Sequence, residues 1–285
     1  MKSLVNNPYF YLGLIIKIFL FVVLMPKALN NWYVPFMELT SSFVSFDPWS
    51  VWINNNGSMM AFPYGTSMWL YFFPFSFICK IFSIPVEIGY KFAILLADFL
   101  LLFTLSKIIG KKQKLIILLY WLSPIIFFSC YSLGLNDLIP ILFLINAFYF
   151  LKKNKVVYSS AFLSFAISAK LSMIIALPFF ILYFLKNKVI SSLAKNFFIG
   201  LMIFSFLLAV PFIFSDHATN MLITNPEIKK IYNFKISIQD NNFVFLVPFI
   251  YIIMIYLIWR VRRLNYDLLV SIVGIALLLI VLMTP

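Results

Sequence analysis

SMWLYFFPFSFICKIF, residues Ser67–Phe82, is the stretch on which the fold turns. It is apolar enough to pass for a membrane-spanning helix, yet it contains Pro74 and Lys80. If it spans, the basic turn with Lys111, Lys112 and Lys114 lies on the opposite side from Lys2. The same flip moves the clusters Lys152, Lys153 and Lys155, then Lys186, Lys188 and Lys195, then Arg260, Arg262 and Arg263. If it does not span, all of these lie with the N-terminus, joined by Lys107, as the excess of Lys and Arg in cytoplasmic loops requires. The acids agree with that choice. Glu38, Asp47, Glu87, Asp137, Asp216, Glu227 and Asp240 then all fall outside. Ser67–Phe82 is therefore expected as an outer-leaflet interfacial or re-entrant segment.

Around it the chain is hydrocarbon-compatible. Of 285 residues 64% are hydrophobic and only 11% charged, with a mean hydropathy of +1.02. A soluble domain has about 25% charged residues and cannot hide this much apolar surface. Nine apolar runs are long enough to be helices: Tyr9–Leu24, Val86–Ile109, Leu115–Tyr131, Leu135–Leu151, Val156–Ala169, Leu171–Leu185, Phe197–Phe214, Phe243–Trp259 and Leu268–Met283. They are continuous rather than alternating, which argues against a transmembrane barrel. The expected fold is all-α, one polytopic transmembrane bundle of about nine spans over residues 1–285, with a retained first helix. Several runs are short for a bilayer core of about 30 Å. Shallow turns near Tyr131–Pro140 and Lys170 then leave a wet outward recess, where irregular backbone is tolerated at membrane depth.

Net charge is +13, but the cations sit in small clusters between apolar runs. That is a topology signal, not the single basic face that nucleic acid requires. Cys79 and Cys130 lie in apolar surroundings without CxxC spacing and read as buried thiols. His217 is the only histidine, which argues against a His-based metal site or a Ser–His–Asp triad. There is no GxxxxGKT or GxGxxG, so an activated substrate has to arrive in a form that a membrane protein can hold, such as a lipid-linked phosphate.

Two outer loops are expected, at about 26–85 and 215–242. The first carries short helices and mixes Trp32, Tyr33, Trp49 and Trp52 with Pro, Asn and two carboxylates. So many aromatics argue for an ordered cap. Asp47, in FDPWSVW, reads as an N-cap before Pro48, and a capping carboxylate can also be catalytic. Glu38, in VPFMELT, reads as an exposed acid or as a general base. Asn136 and Asp137, in CYSLGLNDLIP, either cap the helix that follows or line the recess. Lys170, in AISAKLSMIIALPF, is a costly ammonium in an apolar stretch that calls for a phosphate or a carboxylate such as Asp137. Asp98, in LLADFLLLF, is open to an internal hydrogen bond or to substrate, and Lys17 either snorkels or pairs with it.

The order of FDPWSVW, AFPYG, KFAILLADFLLLF, YWLSPIIFFSCYSLGLNDLIP and FAISAKLSMIIALPFFILY resembles the GT-C superfamily of polyprenyl-phosphate-sugar-dependent glycosyltransferases. Residues 91–185 are similar to the mannosyltransferase that adds the first mannose in GPI-anchor synthesis. The resemblance implies transfer of a hexose, mannose in that family, from a polyprenyl-phosphate donor to a lipid-linked or glycan acceptor on the outer face. It maps the family's catalytic acidic residue of the first outer loop to Asp47, with Glu38 second; substrate binding is expected at Lys170, Asn136, Asp137, Asp98, Trp49, Trp52 and Tyr64. The paired acids of many relatives are absent, since Pro48 follows Asp47. Relatives also continue beyond the point where Met283–Pro285 ends this chain, so a truncated C-terminus is expected. No cofactor is required, with a divalent metal (Mg or Mn) left open. The expected location is a bacterial inner (plasma) membrane, with membrane lipids around the chain and a cytoplasmic N-terminus. A lipid or polysaccharide transporter and a non-catalytic membrane subunit are the alternatives.

Overall fold

A computed structural model describes residues 2–42, 45–110, 113–187, 191–239 and 242–283. Lys111, Lys112, Lys188, Asp240, Thr284 and Pro285, all named above, lie outside the described residues.

The chain is mostly helical. In order come α1 (Pro8–Val23), α2 (Val34–Thr40), α3 (Pro48–Asn54), α4 (Thr66–Ile81) and α5 (Val86–Ile109). A broken segment, Gln113–Ser132, is followed by α6 (Leu138–Lys152), α7 (Val156–Ala169), a 3-10 stretch Leu171–Ala176 and α8 (Leu177–Lys186). Then come α9 (Ser191–Ile213), α10 (Ala218–Ile223), strands β1 (Lys235–Gln239) and β2 (Asn242–Phe245), α11 (Leu246–Arg260) and α12 (Tyr266–Met283).

The starts are written locally. Asn7 accepts from the Tyr9 amide at 3.0 Å with Pro8 at the first position of α1, and Asp47 does the same for α3 ahead of Pro48. Gly110, at φ 71°, ends α5 in a conformation that costs glycine nothing.

Long-range contacts sort the helix ends into two groups. Lys152 at the end of α6 donates to the Ile108 carbonyl at the end of α5, and Lys186 of α8 donates to the Trp259 and Val261 carbonyls at the end of α11. Tyr266, starting α12, reaches the Phe148 carbonyl of α6. The described members of the basic clusters thus gather at one end. At the other end, Lys91 of α5 donates to the Phe21 carbonyl of α1, and Asn136, ahead of α6, donates to Tyr90 of α5. This is the loop end.

Helix α4 lies across the loop end. Its Phe72 ring stacks on Tyr90 at 3.9 Å, Tyr71 donates to the Ala93 carbonyl, and a Cβ at Gly89 would meet Cys79 and Phe75. Those partners occupy only the first two turns of α5. The start of α4 meets the last turn of α7, where Ser67 donates to the Phe165 carbonyl at 2.6 Å. Such packing suits a helix that does not cross the bundle. By length and apolarity Val86–Ile109, Gln113–Ser132 and Ser192–Ile213 can each cross a membrane. Six further apolar helices of 10–17 residues fall short of the roughly 20 residues that a straight span takes.

The second loop adds a short pair of strands to this mostly helical chain. Strands β1 and β2 pair antiparallel, with Ile236 facing Val244 and Lys235 facing Phe245. KISIQ alternates with period two, and β-branched and aromatic residues suit a pleated ribbon. That alternation sits just before the run assigned to Phe243–Trp259, so the helix α11 begins three residues later than expected.

Candidate functional site

The first loop is a folded cap. Phe36 stacks on Phe62 at 4.4 Å, Tyr33 stacks on Tyr90, and the Tyr33 and Tyr64 hydroxyls are 3.1 Å apart. Trp49 donates its indole N–H to the Tyr64 carbonyl at 3.2 Å, tying the FDPWSVW helix to the AFPYG turn. That turn comes down on α7. A Cβ at Gly65 would lie 2.0 Å from the Ser168 carbonyl oxygen, so only glycine lets the two backbones approach this closely. Gly65→Ala is expected to destabilise the fold by about 1–3 kcal/mol, because the obstacle is backbone that has to move. Thermal unfolding of the detergent-solubilised protein measures it; an unchanged midpoint would show that the contact is slack.

Asp47 is held from two sides. Its Oδ1 accepts from the Ser50 amide at 3.0 Å and from the Ser215 hydroxyl at 2.7 Å. Ser215, in the turn after α9, also accepts from the Ala218 amide at 3.0 Å and so starts α10. One serine therefore joins the two loops across the bundle end. Phe212, three residues earlier, packs its ring 4.5 Å from Trp49.

Asp137 and Lys170 form an ion pair at 2.5 Å, with 38% and 37% of their side chains exposed. The capping explanation of Asp137 fails, since its carboxylate makes no bond to the first turn of α6. Lys170 stands where α7 gives way to the 3-10 stretch, so its extended backbone breaks the helix at the loop end. Asn136 is 1% exposed; its amide nitrogen donates to Tyr90, while its Oδ1 has no partner among the described residues. Enclosure of the Tyr64 hydroxyl, aided by Tyr33 and the Asp137 charge, raises its pKa well above the usual phenol value, so it stays a donor.

A cavity of about 300 Å³ is lined by Gly65, Ser168, Leu171, Ser205, Ala209, Phe212 and others. It is a wedge between α7 and α9. At its closed side Gly200 abuts Ser160, and the Ser164 and Ser205 hydroxyls meet at 3.0 Å. Small residues let helices approach in this way. One turn further along, Ser168 and Ala209 are separated by the cavity. Its lining includes Leu171, next in sequence to Lys170, and Phe212, whose ring packs against Trp49.

The structure thus pairs Asp137 with Lys170, links the adjacent Asn136 to Tyr64 through Tyr90 and Tyr33, and holds Asp47 separately on Ser50 and Ser215. It leaves the four other candidates outside this grouping. Trp49 is fully buried and presents no ring face to a sugar. Trp52 packs against Phe36 and is covered by Gly57, whose added Cβ would meet its ring at 2.1 Å. Asp98 is fully buried and saturated by Lys17, Tyr120 and Tyr131, the internal reading that the sequence left open. Glu38 is exposed on α2, and its carboxylate has no polar partner among the described residues. The sequence reading passed over Ser215, Tyr33, Tyr90 and Gly65. Gly65 alone had a local signal, in the AFPYG turn.

A divalent metal needs several oxygen ligands converging on one point. Among the described residues no three His, Cys, Asp or Glu side chains do so, and the neighbour of Asp137 is an ammonium.

No curated protein and no solved structure matches the chain. A family model described as ALG3 protein matches residues 71–256, almost two-thirds of the length. The GPI first-mannose family is not the one matched.

Proposed function

Because this chain belongs to the ALG3 protein family of dolichyl-phosphate-mannose-dependent mannosyltransferases, we propose that its loop-end cavity carries out an inverting mannosyl transfer. The observation that carries this reading is an apolar wedge whose lining includes Leu171, next in sequence to Lys170, and Phe212, whose ring packs against Trp49 close to Asp47. The first isoprene units of the donor lie in the wedge between α7 and α9. The donor phosphate sits at Lys170, and the mannose under the cap near Tyr64 and Asn136.

Asp47, anchored through Oδ1, uses Oδ2 to take the proton from an acceptor hydroxyl. The acceptor's hydroxyl oxygen attacks the anomeric carbon, and the bond from this carbon to the phosphate oxygen breaks, with its electron pair leaving on the phosphate. Lys170 offsets the departing charge. Ser215 and the Ser50 amide keep the base pointed at the cavity. The acceptor is a lipid-linked glycan. Transfer takes place on the side away from the cytoplasm, a sidedness supported by the gathering of basic clusters at the other end.

Membranes containing the chain, incubated with labelled polyprenyl-phosphate mannose, are expected to yield labelled glycolipid. Ala209→Phe, which fills the wedge, should raise the donor KM about tenfold or more and leave the acceptor KM unchanged, since a lost apolar contact is worth about 1–3 kcal/mol. No label in glycolipid refutes the transfer; an unmoved donor KM refutes the lipid placement.

A further inference from the structure

Lys17 and Asp98, neither of them used by the chemistry above, pair at 2.7 Å with both side chains fully buried. Tyr120 donates to one oxygen of Asp98 at 2.7 Å and Tyr131 to the other at 2.6 Å. The ammonium also stands 3.2 Å from the centroid of the Trp121 ring. Buried ions cost several kcal/mol each to desolvate, and apolar side chains of the same volume often hold helices together as well or better. Helix affinity alone does not account for the cluster.

Its partners point to a second use. Tyr120 and Tyr131 lie in two π-helical turns, Ile117–Trp121 and Phe127–Ser132, of the broken segment. A π turn carries one extra residue and rotates the chain beyond it; such turns collect at functional sites. Trp121 is pinned by its bond to the Phe10 carbonyl at 2.9 Å and by Gly13, where a Cβ would lie 2.4 Å from the indole. Six residues after Tyr131 comes Asp137. Gly134 between them, at φ 72°, passes so close to Pro26 that a Cβ would lie 2.8 Å from it.

We infer that the Lys17–Asp98–Tyr131 cluster is a positioning element for mannosyl transfer, setting the rotation and height at which the segment delivers Asn136 to Tyr90 and Asp137 to Lys170. This rests on the proposed loop-end site.

The test replaces the cluster by apolar side chains together, Lys17→Met, Asp98→Leu, Tyr120→Phe and Tyr131→Phe, so that no polar group is left unpaired. Two readouts follow. In the first, Asp137→Cys and Lys170→Cys are introduced into both backgrounds and bridged with a short bifunctional thiol reagent, Cys79 and Cys130 being buried. In the second, donor KM and kcat are measured without the cysteines. The fourfold variant is expected to melt near the parent temperature, yet to bridge at least fivefold more slowly and to lose tenfold or more in kcat/KM. Parental bridging and parental kinetics in the stable variant overturn the inference. A wild type that transfers no mannose overturns the site reading instead, and the bridging rates still decide this one. If the fourfold variant does not fold, Tyr131→Phe alone, which removes a hydroxyl and no volume, takes its place under the same two readouts and the same criteria.

Discussion

Asp47→Asn is expected to lower kcat for mannosyl transfer by about 10²–10⁴-fold, the usual worth of a positioned general base, while leaving the fold in place. Asparagine caps a helix as well as aspartate does, and an amide oxygen still accepts from the Ser50 amide and the Ser215 hydroxyl. What it lacks is the capacity to take a proton. The loss should therefore appear in kcat, at unchanged donor KM and unchanged melting temperature. Asp47→Ala removes the cap as well and adds about 0.5–2 kcal/mol of instability. Ser215→Ala keeps the base but loosens it, so a smaller fall in kcat is expected. Asp47→Asn turning over at the wild-type rate, with Glu38→Gln inactive, would move the base to α2.

Lys170→Met should cost about 10²–10³-fold in kcat/KM, the price of removing one preorganised group from a developing charge. The ion pair with Asp137 complicates the reading, because the single change also leaves a carboxylate facing the donor phosphate. The double variant Lys170→Met/Asp137→Asn separates the two effects. If repulsion by Asp137 is the whole loss, the double variant regains wild-type activity. If Lys170 itself offsets the phosphate, the double variant stays impaired, and Lys170→Arg recovers part of the rate. Full recovery in the double variant would remove Lys170 from the mechanism.

The candidate site was legible in the sequence wherever one residue carried its own cost. Lys170 stood out because an ammonium among apolar neighbours has to be paired, and its partner is the carboxylate named in advance. Asp47 stood out because Asp-Pro marks a helix start. The described members of the basic clusters fall at one end of the bundle because charge near helix ends obeys the bilayer and not the neighbouring helices. The tryptophans misled for a related reason. An aromatic in a polar loop looks available, but Trp49 is consumed by packing against Phe212 and a bond to the Tyr64 carbonyl.

By itself the sequence determined that this is a membrane-embedded helical chain with a folded aromatic cap, because hydropathy, prolines, caps and charge act over a few neighbouring residues. Only the tertiary structure decided that Asp47 is gripped by a serine 168 residues away, that Gly65 is pressed onto α7, and that α7 and α9 part to leave a wedge. The π turns that carry Tyr120 and Tyr131 to Asp98 belong to the same class. These features depend on how closely distant backbones approach, and no local propensity encodes that distance.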